Sequence, residues 1–159
     1  MDSPLGRFAP REVSTGEFPL WDKALALLNA DLTATLPRQR PFRLIALTSL
    51  REDVDVPEDV YVVLSDGEWH GNPLHPGSAA DLAQALAAVA DAAQETVGEQ
   101  LRQAWPLCAE HGLGMHPRAA DGRLSWWCAG ERGLARVRAA VGELDRSGPA
   151  RDRRRPVSG

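Results

Sequence analysis

Both cysteines and two of the four histidines of this 159-residue chain fall between Cys108 and Cys128. That concentration of soft donors constrains the fold more than any other feature. The run is Trp105-Pro106-Leu107-Cys108-Ala109-Glu110-His111, then His116-Pro117, then Trp126-Trp127-Cys128. Thiolate and neutral imidazole are the usual donors to structural zinc. The Cys-x-x-His spacing lets one tight turn present Cys108 and His111 to a single ion, and His116 with Cys128 completes a four-donor set. Residues 105–130 are therefore read as a Cys/His zinc-knuckle-like hairpin module. Two thiolates balance a 2+ ion, so such a site can be buried without an unpaired charge. The competing readings are a pair of free thiols buried for packing and a Cys108–Cys128 disulfide.

The hairpin after the knuckle contains a test of this donor set. Asp121-Gly122 is a tight-turn signal, because glycine accepts the positive φ such turns require. A two-residue turn puts His116 opposite Trp127, on the face of the hairpin away from Cys128. A three-residue loop with a glycine bulge puts His116 opposite Trp126, on the same face as Cys128. The four-donor reading predicts the bulged loop, unless Cys128 already lies past the ladder, and His75 is the substitute if His116 fails. His70, on an expected strand, and His75, in a loop, otherwise lack any paired ligand spacing.

The rest of the chain reads as α+β: a three-stranded antiparallel sheet covered by a long helix, with the hairpin module following. Residues 1–15 lack apolar periodicity and read as a flexible arm. Leu20, Ala24, Leu27, Leu28 and Leu32 mark a helix over about 18–32, with Pro19 in its first turn, where a missing N–H is tolerated. Phe42 to Thr48 is a short bulky run typical of a buried strand. Val60–Ser65 and Glu68–Gly71 flank Asp66-Gly67, a second hairpin signal. Ser78 is expected to cap the longest helix, with Asp81 as its capping-box acid and Leu82, Leu86, Val89, Ala93, Val97 and Leu101 on one face. Trp105-Pro106 ends it, since a residue before proline is pushed out of helical geometry. Leu134, Val137, Val141 and Leu144 suggest a last short helix, with a strand over 135–141 as the alternative. Residues 16–145 thus form one domain, and 146–159 an Arg-rich tail expected to be disordered.

Charge and motifs narrow the function classes. The net charge is −4, and the five Arg and two Asp of residues 145–159 leave −7 on the remainder. An acidic folded part disfavours nucleic acid, whose affinity comes from neutralised phosphates; a nucleic-acid role would rest on the tail. The acidic run over 52–59 lacks the glycine and spacing of an EF-hand loop. No apolar stretch is long enough to span a bilayer, and the first residues lack a secretory signal, so a cytoplasmic protein is expected. Four protein donors close a zinc ion to substrate. No residue is therefore assigned a catalytic or cofactor-binding role, and a thiol or zinc-dependent enzyme using Cys108 with His111 or His116 is the alternative.

The pattern Trp-Pro-x-Cys-x-x-His, then His-Pro, a glycine-containing turn and Trp-Trp-Cys resembles the C-terminal part of small uncharacterised proteins of GC-rich bacteria. The match covers 105–128. In that pattern proline commonly follows each cysteine, where this chain has Ala109 and Ala129. The resemblance implies a metal site on Cys108, His111, His116 and Cys128 and carries no activity. The expectation is a non-catalytic binding or accessory protein held by structural zinc, acting on a protein or small-molecule partner.

Overall fold

The computed structural model describes residues 10–48, 58–64, 73–120, 122–130 and 136–144. Along the chain these form β1 (Arg11–Glu12), α1 (Pro19–Thr35), β2 (Arg43–Thr48), β3 (Glu58–Val63), a 3-10 turn (Pro76–Ala79), α2 (Leu82–Leu101), β4 (His116–Ala120), β5 (Arg123–Cys128) and β6 (Arg136–Ala140). The architecture is α+β, with two three-stranded antiparallel sheets ordered β1-β2-β3 and β4-β5-β6. No helix among the described residues is long and apolar enough to cross a membrane.

Several local expectations change. Arg11 and Glu12 are not part of a flexible arm: they pair with Ala46 and Ile45. The Arg11 guanidinium holds this two-residue strand by bonding Glu17 at 2.6 Å and Glu58 at 2.7 Å. That guanidinium lowers both carboxyls below their ordinary range. The cap of α2 is Asp81, whose Oδ1 accepts from the Gln84 N–H at 2.8 Å, rather than Ser78. Ser78 Oγ instead accepts from the Trp21 indole at 3.0 Å and donates to the His75 carbonyl at 2.6 Å. Of the two readings of the last element, the structure forms the strand, β6, rather than the helix, with β5 as its partner. The hairpin expected at Asp66-Gly67 with its strand 68–71, the acidic run over 52–57, His70, residues 1–9 and the Arg-rich tail lie outside the described residues.

The helices are amphipathic, and they bury their apolar stripes in one core. α1 turns Trp21, Ala24, Leu28 and Leu32 inward, and α2 turns Ala85, Leu86, Val89, Ala93 and Val97 inward. Small alanines let the two helices pack along each other, while α2 also meets β3, β4 and β5. Thr96 Oγ1 donates to the Val62 carbonyl at 2.8 Å, tying α2 to the first sheet. Trp105 wedges between the sheets, its ring centroid 5.6 Å from Phe42 and 5.7 Å from Trp126.

One residue on the buried face of α1 is a carboxylic acid. Asp31 is fully buried. Its Oδ2 accepts from the Trp126 indole N–H at 2.7 Å and from the Gly142 N–H at 2.7 Å, and its Oδ1 accepts from the Leu144 N–H at 3.0 Å. Burial pushes the Asp31 carboxyl above its ordinary range, against the three donors, which favour the charged form. The turn that delivers two of these donors depends on Gly142. It has φ +96°, and a Cβ there would lie 2.6 Å from Leu27 Cδ2.

Asp31→Ala is expected to lower stability in chemical denaturation by about 3 to 5 kcal/mol, because three buried N–H groups lose their acceptor. Gly142→Ala combines a positive φ with overpacking and is expected to cost about 2 kcal/mol. An acid whose folded pKa is raised contributes stability that is complete below its unfolded pKa and is lost as pH rises through the folded one. The stability of the wild type relative to Asp31→Asn should therefore grow as pH falls through that window; a difference independent of pH would contradict the assignment.

Candidate metal centre

The knuckle is a short hairpin set between α2 and β4. Its arms meet at the Leu107–Gly114 bridge, flanked by the Met115 N–H on the Pro106 carbonyl and the Cys108 N–H on the Leu113 carbonyl, each 2.7 Å. The turn is closed by the Gly112 N–H on the Cys108 carbonyl at 2.7 Å, with Gly112 at φ +70°. Cys108 and His111 sit on opposite shoulders of this turn. The Gln94 amide from α2 anchors its base, donating to the carbonyls of Trp105 at 3.0 Å and Met115 at 2.7 Å. The peptide bond Trp105-Pro106 is cis.

The third donor arrives on β5. Strands alternate their side chains, so Trp126 and Cys128 share the inward face and both are fully buried. Cys108 Sγ lies 3.5 Å and Cys128 Sγ 3.4 Å from the same atom, His111 Nδ1. The three donor atoms all lie within 4.8 Å of one another, and the group can hold a metal ion. An N–S edge of a tetrahedral zinc site is about 3.5 Å for bonds of the usual length. A lone Nδ1–H can donate well to only one of two sulfurs, whereas one cation satisfies all three atoms at once.

The surroundings move the two thiols in opposite directions. Burial pushes the Cys108 thiol up, but the N–H groups of His111 and Glu110, the His111 ring and the Cys128 thiol outweigh it and leave Cys108 below its ordinary value. For Cys128 burial prevails and the thiol is raised, although the Gly130 N–H reaches its sulfur at 3.3 Å and the charge of Arg138 pulls it down. A cation beside both sulfurs would remove this mutual opposition. Arg138 is the extra residue of a bulge in β6, where Trp126 faces Ala139 and Trp127 faces Val137. Its guanidinium pairs with Glu110 of the knuckle at 3.0 Å.

His116 stands apart from the three. β4 and β5 pair with Ala120 opposite Arg123 and His116 opposite Trp127. That is the two-residue turn register, and β5 runs regularly against β4 to its pairing with His116. The exposed His116 ring lies 6.4 Å from Trp127, over which Arg118 also stacks at 4.7 Å. The bulged loop is not formed and the β4–β5 pairing stops at Trp127, one residue before Cys128. Of the expected set of Cys108, His111, His116 and Cys128, the structure brings together Cys108, His111 and Cys128 and leaves His116 outside the group. His75 does not replace it, because its Nδ1 accepts from the Gly77 N–H at 3.0 Å in the 3-10 turn.

Sequence reasoning missed Arg138 and Glu110, which flank the donors without ligating. The only available signal was Glu110 lying within the Cys-x-x-His turn. Gly112→Ala should cost about 1 kcal/mol by forcing a Cβ into left-handed geometry, and Gly112→Asn less, as denaturant titration can measure. No family model matches the chain, and neither a curated protein nor a solved structure matches it significantly.

Proposed function

We propose that the chain is a zinc-binding accessory protein in which Cys108, His111 and Cys128 hold one ion. The ion would clamp the knuckle after α2 to the end of β5. The observation that carries this reading is the approach of both sulfurs to a single imidazole nitrogen, at 3.5 and 3.4 Å. Two thiolates and one imidazole suit zinc among the common divalent ions, and the two thiolates neutralise its charge in a buried setting. Metal binding energy at such a site is folding energy, which fits a knuckle built largely from turns.

The thiol-enzyme reading draws less support. A nucleophilic cysteine needs a partly exposed sulfur, and Cys108 and Cys128 are 1% and 0% exposed. The proposal includes an unidentified protein or small molecule as partner and the cytoplasm as the place of action.

Protein purified without added metal is expected to contain one zinc per chain by elemental analysis. Its thermal midpoint should fall on chelation and recover with zinc, as linkage requires. Cys108→Ser, Cys128→Ser and His111→Ala should each weaken zinc by about 100-fold or more, whereas His116→Ala should leave affinity unchanged. A metal-free protein with the same thermal midpoint would refute the proposal.

A further inference from the structure

Among the described residues the centre offers three donors, one fewer than the tetrahedral set that closes a structural zinc ion. The surroundings are uneven. Both sulfurs face the core, while His111 is half-buried and its neighbour Glu110 is exposed. The side of the centre that meets solvent is therefore the His111 side.

A cation stands on that rim. Arg138 pairs with Glu110, next to His111, and it sits on β6, the strand paired with β5, which carries Cys128, so the guanidinium joins the two segments that carry the ligands. The bulge in β6 sets Arg138 out of the regular ladder, between the Trp127–Val137 and Trp126–Ala139 pairs, on the strand that pairs with the one carrying Cys128. Guanidinium presents five donors, and Nη1 is the nitrogen that meets Glu110.

We propose that the centre takes a small anionic thiol as its fourth ligand, sulfur to the metal and anionic group to Arg138. The proposal rests on the metal reading above. A soft thiolate matches a metal already held by two sulfurs. The carboxylate of the ligand would compete with Glu110 for the guanidinium, which makes the Glu110–Arg138 pair the gate to the position.

The test uses the full chain loaded with cobalt(II) in place of zinc, followed by absorption spectroscopy without oxygen. Two thiolates should give sulfur-to-cobalt charge transfer in the near ultraviolet together with tetrahedral visible bands. Added mercaptoacetate should raise the charge-transfer intensity to about 1.5-fold, as a third sulfur joins two, and should shift the visible bands. It should bind about three- to tenfold more tightly than 2-mercaptoethanol, and Arg138→Gln should abolish that preference without changing cobalt affinity. Absence of any cobalt–sulfur band before the thiol is added would overturn the metal reading and this proposal together. Normal bands that do not respond to either thiol, or that vanish because the thiol strips the cobalt, would overturn only the proposal. A preference that survives in Arg138→Gln would remove Arg138 from it.

Discussion

The structure depends on one buried carboxylate. Asp31 gathers the Trp126 indole and the Gly142 and Leu144 N–H groups, so a single side chain of α1 fixes the central strand of the second sheet and the turn after its last strand. Taking a carboxylate out of water normally costs several kcal/mol, and the three N–H donors offset part of that cost while burial still raises the Asp31 pKa. Apart from this node the second sheet meets the helices mainly through apolar contacts among the described residues. Those contacts supply free energy but little orientation.

Orientation is what the metal centre needs. Asp31 locks Trp126, and Trp126 determines which face of β5 turns inward, so Cys128 two residues later follows. Trp105 stacks edge-on against Trp126 from the other side and gives its own indole N–H to Thr35 Oγ1 at 2.8 Å. The knuckle follows Trp105 directly, and Cys108 lies three residues after it. The two halves of the centre are thus placed by neighbouring tryptophans, each hydrogen-bonded to the last turns of α1. The candidate site is an extension of the core rather than an appendage to it.

The two main helices, β2, most of β3 and the β4–β5 hairpin were legible because their patterns are local: three- and four-residue apolar spacing, short bulky runs and an Asp-Gly turn. Of the donors, Cys108, His111 and Cys128 were legible as soft ligands at short spacing. His116 had to be decided by the parity of a turn, which composition cannot supply. β1 escaped notice because two residues carry no period, and it is held by the ion pairs of Arg11 with Glu17 and Glu58. The sequence leaves β6 open between a helix and a strand because Leu134, Val137, Val141 and Leu144 fit a helical stripe, and the free edge of β5 selects the strand. Asp31 was hidden in plain sequence: it falls on the same helical face as Ala24 and Leu28, where an acid signals a buried partner.

The bulge at Arg138 also bears on solubility. A sheet edge offers unpaired N–H and C=O groups that can recruit another chain, and among the described residues each edge is interrupted. β1 is two residues long, and β3 already gives its Val60 carbonyl to the Leu74 N–H at 2.8 Å. β4 contains Pro117, which has no N–H to offer. β6 breaks its own repeat at a charged residue. The feature that sets an arginine beside the cysteines thereby also keeps the outermost strand from templating aggregation.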